Sequence, residues 1–136
     1  MFRSGTRAIS PPSFFPADFA LPMVAPQDLG KAAARRLLEP ASETGLRYIE
    51  GPERYTPHDV AAALSHAIGK TIAVATIPRE AWEKTFAQLG FSQAAARSYA
   101  WMTGTVVDDA AEIPSNPERG TTTLLAFNRG VVDAGG

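Results

Sequence analysis

The sequence predicts a mixed α/β chain with four to five helices and two to four short strands. Three observations carry that prediction. Apolar residues recur at helical spacing in several segments, short β-branched runs lie between those segments, and capping residues, prolines and glycines stand at the joints. At 136 residues the chain suits one domain that buries roughly two-thirds of its unfolded surface.

Residues 1–20 read as an irregular lead-in, because Pro11, Pro12 and Pro16 forbid a regular helix and Phe14, Phe15 and Phe19 interleave with them. Residues 21–136 carry the regular elements. A short strand is predicted over 21–25, followed by a helix from an Asp28 cap to about Glu39, with Leu29, Ala33 and Leu37 on one face. Residues 46–50 have strand character up to the Gly51-Pro52 break. Thr56 caps a second helix, with Pro57 at its first position, Asp59 completing an acidic capping box and Gly69 ending it. Residues 71–77 are uncharged and β-branched, and predict a strand buried on both faces.

Pro78 opens a third helix carrying Trp82, Phe86 and Leu89 and ending at Gly90. Ser92 caps a fourth, with Phe91 stapled on Ala96, with Ala95, Tyr99 and Met102 on one side, and with an end near Gly104. Residues 106–118 read as an acidic, proline-containing loop. The threonines at 121–123 fit either the cap of a last helix through Phe127 or a strand.

Composition removes several classes of function. With 13 basic and 14 acidic residues the formal net charge is -1, which gives no electrostatic reason to expect nucleic acid or an acidic membrane surface as partner. The absence of cysteine excludes disulfides, thiolate catalysis and cysteine-ligated metal sites, and fits a cytoplasmic setting. No apolar stretch approaches the ~20 residues a membrane span needs. No apolar run follows the charged start at residues 1–7, so no signal peptide is expected.

Local motifs that suggest chemistry have simpler structural explanations. Gly69-Lys70-Thr71 has the tail of a phosphate-binding loop, yet Leu64 stands where the first glycine belongs, and the tripeptide ends a helix instead of starting one. Ser92 in Gly90-Phe-Ser-Gln-Ala94 is one residue from a nucleophile elbow, but a helix precedes it where a strand is required. His58 and His66, eight residues apart, point roughly 80° apart on one helix and cannot chelate together. Asp108, Asp109 and Glu112 match no cation-binding spacing and read as a solvated loop. No glycine-rich dinucleotide fingerprint occurs, and Tyr48, Tyr55 and Tyr99 are followed four residues later by Pro52, Asp59 and Thr103, never by lysine.

The order of the remaining motifs carries a resemblance. Residues 22–30 with their following helix, then 48–53, then 56–64 with Gly69-Lys70, then 77–82, the Gly90 break and 119–124, resemble the C-terminal half of NmrA-like proteins. These are atypical members of the short-chain dehydrogenase/reductase superfamily. Residues 13–18 fit the segment that precedes the first of these motifs, so the resemblance covers about residues 11–127.

The resemblance implies a partial Rossmann-like sheet edge plus a small substrate-cap subdomain over residues 21–136. Full-length members hold NAD(P) on a glycine-rich turn in an N-terminal Rossmann half, which these residues do not contain, so no cofactor is expected to bind this chain alone. Members are quinone or azo reductases, isoflavone-type reductases, or redox-sensing regulators. The chain is therefore expected to be the substrate-binding portion of such an oxidoreductase, without dehydrogenase activity by itself and without a metal. The pocket candidates are Phe19 and Met23 on the lead-in, and Tyr99, Trp101 and Met102 on the fourth helix. Strands with uncovered edges imply self-association, or the Rossmann half as partner. The alternative is a small non-catalytic interaction module that offers its exposed sheet edge to another protein.

Overall fold

A computed structural model describes residues 9–108 and 114–135. Among them are five α-helices and four two-residue strands, a mixed α/β arrangement in two small parallel sheets. Strand β1 (Pro12–Ser13) pairs with β3 (Ala75–Thr76), and β2 (Ile49–Glu50) with β4 (Glu118–Arg119). Helix α2 (Pro57–Ile68) packs on α5 (Leu124–Gly135). Helix α3 (Trp82–Gln88), led in by a 3-10 turn at Arg79–Ala81, packs on α4 (Gln93–Val107). Helix α1 (Pro26–Leu37) lies between β1 and β2 in the chain.

The best-specified helix is α2. The Thr56 hydroxyl accepts the Asp59 N–H at 3.1 Å, the Asp59 carboxylate accepts the Thr56 N–H at 2.8 Å, and Gly69 closes the helix at φ +66°. Helix α4 begins as expected, with the Ser92 hydroxyl accepting from Ala95 N–H. It runs past Gly104 to Val107, with Gly104 buried against Trp82 and the Arg79 guanidinium. Its buried face is Ala96, Thr103 and Gly104, rotated from the expected face of Ala95, Tyr99 and Met102. Phe91 turns its ring to Phe86 and Tyr99, at 5.7 and 4.9 Å between centroids.

Four expectations need correction. Residues 21–25 form no strand: only Leu21 makes a bridge, antiparallel, to Tyr55. Asp28 is not the cap of α1; Ala25 holds that position with Pro26 following, and the Asp28 carboxylate is engaged elsewhere. The 71–77 segment is regular strand only at 75–76 and is not buried on both faces. Ile72, Val74 and Ile77 are half-buried while Ala73, Ala75 and Thr76 are exposed, because β1 pairs along one edge and the alternate side chains meet no second layer. The lead-in is not wholly irregular, since Pro12–Ser13 supplies β1. Beyond residues 106–107, which belong to α4, the acidic loop falls partly outside the described residues, as do Asp109 and Glu112.

The buried hydrophobic set among the described residues is small: Tyr55, Ala61, Trp82, Phe86 and Ala96. The expected apolar face of α1 meets solvent instead. Leu29 is half-exposed, and Leu37 and Leu38 are 85% and 87% exposed. No helix of the described residues is long and apolar enough to cross a membrane.

Candidate functional site

The strongest candidate is a cleft built around Met23 and Tyr55. The chain crosses itself there: Leu21 N–H donates to the Tyr55 carbonyl at 2.9 Å, Tyr55 N–H returns to the Leu21 carbonyl at 3.1 Å, and Gly51 N–H donates to the Met23 carbonyl at 2.8 Å. These bonds replace a strand ladder and fix residues 21–23 against 51–55. The start of α5 closes the other side, where Leu124 N–H donates to the Tyr55 hydroxyl at 3.2 Å. Between them lies a cavity of about 330 Å³ lined chiefly by Met23, Val24, Ala25, Tyr55, Leu124 and Phe127. Its size reaches the lower range of small-molecule pockets, and its wall is mainly apolar, with Tyr55, Thr122 and Thr123 also among its lining residues. Met23 also lines a neighbouring apolar groove of about 370 Å³ with Phe14, Phe15, Val60, Leu64 and Val74.

Two buried carboxylates hold the cleft in shape. Asp28 accepts the Thr122 N–H at 2.8 Å and the Thr122 hydroxyl at 3.1 Å, so α1 carries the segment that leads into α5. Glu50 accepts from Arg54 Nη2 at 2.8 Å and from Arg119 Nη1 at 3.1 Å, while the same Arg119 nitrogen reaches the Gly51 carbonyl. The Thr122 N–H holds the Asp28 carboxyl below its ordinary value, and the Arg54 hydrogen bond does the same for Glu50. A general acid at neutral pH needs the opposite displacement. Both groups are positioning carboxylates of the frame.

Their low proton affinity gives a pH dependence of known sign. Each contributes fully above the ordinary carboxylate values, 3.8 for the aspartate and 4.5 for the glutamate, and its contribution is lost as pH falls through the lower folded value. The thermal midpoint is expected to fall progressively between about pH 5 and pH 2. Asp28→Asn is expected to flatten that slope, read by calorimetry at several pH values; parallel slopes for variant and parent would remove Asp28 from the acid response.

The sequence-derived pocket residues are dispersed. Met23 lines both cavities just described. Trp101, 75% exposed, lines a third cavity of mixed character with Arg79, Trp82 and Asp108. Phe19 stacks on Phe15 at 5.9 Å, Tyr99 joins Phe86 and Phe91, and Met102 is half-exposed on α4; none of these three lines those cavities. Tyr55, Leu124 and Phe127 were not among the expected pocket residues. The one sequence signal for them was the uncharged threonine run that leads into Leu124.

The other motifs resolve into structural roles. Asp108 pairs with Arg79 at 2.8 Å, whose guanidinium sits 5.2 Å from the Trp82 ring centre. His58 lies 3.8 Å from Asp18, and His66 contacts Arg129 at 3.3 Å, so each histidine has its own neighbour. Among the described residues no three histidine or carboxylate side chains converge as a metal site would require.

No protein-family model matches the chain, and the search of curated proteins found no match.

Proposed function

We propose that this chain is the substrate-binding portion of an NmrA-like NAD(P)-dependent oxidoreductase of the quinone- or azo-reductase or redox-sensor type. In this reading it supplies an apolar wall and holds no dinucleotide itself. The observation that carries the proposal is the Met23–Tyr55 cleft, which is lined by residues 23–26 of the 22–30 motif, by Tyr55 just after the 48–53 motif, and by the threonine segment before α5. A flat aromatic ligand would lie against Met23, Leu124 and Phe127. The Tyr55 hydroxyl accepts from Leu124 N–H and keeps its own proton for a carbonyl oxygen. The exposed leucines of α1 would meet the dinucleotide-binding half.

Dinucleotide binding needs a glycine-rich turn that brings a helix N-terminus to the pyrophosphate. Helix α1 starts from Ala25-Pro26 with Asp28 in its first turn, and α2 and α4 use their first N–H groups on Thr56 and Ser92. Isothermal titration is therefore expected to give no saturable heat with NADPH or NADH. A naphthoquinone is expected to bind, and Met23→Ala to weaken it roughly ten-fold. Micromolar binding of either dinucleotide, or indifference of the quinone to Met23→Ala, would overturn the proposal.

A further inference from the structure

We infer that this chain forms a two-fold dimer in which the open edge of β3 pairs with the same edge of a second copy. The inference stands independently of the oxidoreductase reading and rests on the unequal treatment of the two edges of the β1–β3 sheet. On the inner side, Ala73, Ala75 and Ile77 donate their N–H groups to the carbonyls of Ile9, Pro11 and Ser13 at 3.0, 3.4 and 2.8 Å. Strand alternation turns the N–H and C=O groups of Val74 and Thr76 to the opposite edge, where no described residue bonds them. The far edge of β1 is closed to a partner by Pro12, which has no N–H to offer. Natural sheets usually blunt an open edge with proline, charge or a covering element. Residues 71–77 carry no charge and no proline, and Ala75 and Thr76 are exposed.

The occupant is a second copy because one register satisfies every open group. Antiparallel pairing centred on Ala75 sets Val74 opposite Thr76 of the second copy, and Thr76 opposite its Val74. Both are positions where two residues exchange N–H and C=O bonds, so four intermolecular hydrogen bonds form. The two Ala75 residues then face each other at the closely spaced position, where small side chains fit. One step further out, Ile72 meets Pro78. The Ile72 N–H is already given to the Ser65 hydroxyl at 2.9 Å, and Pro78 has no N–H, so the ladder stops where its donors run out. A shift of the register by one pair at either end leaves part of the open set unmatched. Charge agrees with this register. Lys70 and Glu80 lie at equal sequence distance on either side of Ala75, both exposed and without an ion pair among the described residues, and the two-fold axis brings opposite signs to each end. The product is a four-stranded sheet, β1-β3-β3-β1, with Pro12 on each outer edge.

Sedimentation equilibrium of the full chain is the test. The parent is expected to sediment as a dimer of the 14.5 kDa chain. Thr76→Pro removes two of the four interchain donors without touching a bond of the monomer, and should raise the dissociation constant roughly ten-fold or more. Ala75→Lys sets two like charges face to face at an exposed site and should dissociate the dimer while leaving the circular dichroism unchanged. Amide exchange should report Val74 and Thr76 protected at high concentration and unprotected when diluted. A monomeric parent, or an oligomer that Ala75→Lys leaves intact, overturns the inference. Dimerisation and quinone binding are read separately, so either can fail without the other.

Discussion

Gly51→Ala is expected to destabilise the chain by about 3 kcal/mol or more, the upper range for overpacking at a site that cannot relax. A methyl group on Gly51 would sit 2.3 Å from the Met23 carbonyl oxygen, far inside contact distance, and the atom it meets is backbone. That same oxygen accepts the Gly51 N–H at 2.8 Å. Moving the two segments apart to admit the methyl breaks the bond and also disturbs the Leu21–Tyr55 pair beside it. Urea denaturation is the measurement, and an unchanged midpoint would mean that the 21–23 and 51–55 crossing is not as close as described. The cleft should fail together with the fold, since Met23 is held through this contact.

Trp82→Ala is expected to cost about 3–5 kcal/mol, the range for removing a buried large aromatic. Trp82 is 4% exposed, its indole N–H donates to the Ile77 carbonyl at 3.0 Å, and it carries the Arg79 guanidinium on its ring. It thereby ties the end of the β3 segment to the α3–α4 pair. Trp82→Phe keeps most of the apolar bulk but strands that carbonyl, and should fall between parent and alanine variant, with a loss of about 1–3 kcal/mol. The order of the three denaturation midpoints tests the assignment. Equal losses for phenylalanine and alanine would place the whole effect in the hydrogen bond and none in the packing.

What could be read in the sequence was what neighbouring residues decide among themselves. Thr56, Pro57 and Asp59 build their own cap, Gly69 adopts its left-handed turn without help, and Ser92 starts α4 in the same way. The misread positions answer to distant chain. Asp28 has the chemistry of a cap, yet its carboxylate serves Thr122, 94 residues away. The 46–50 segment contributes only Ile49–Glu50 to a sheet because its partner, Glu118–Arg119, is equally short. The fourth helix showed its aromatic residues plainly, but Gly104 and Ala96 decide which side faces α3, and small residues give no signal in an apolar pattern. The cleft was legible at Met23 alone. Tyr55 and Phe127 meet there through the crossing at Gly51 and the anchoring of Thr122 on Asp28, neither of which has a periodic signature.

The parallel pairing of both sheets has a consequence for how the chain reaches this structure. Glu50 and Arg119, joined beside β2 and β4, are 69 residues apart, and Pro12 must wait for Ala75. Closing such wide loops carries an entropic penalty before any contact offsets it, and proteins rich in distant pairings fold slowly. The α3–α4 hairpin needs only sequence neighbours and can form while the chain is still being made. The sheets cannot. During synthesis Phe14 and Phe15 emerge well before Val74, with which they line one groove, so the newborn chain carries this aromatic segment uncovered until that strand follows.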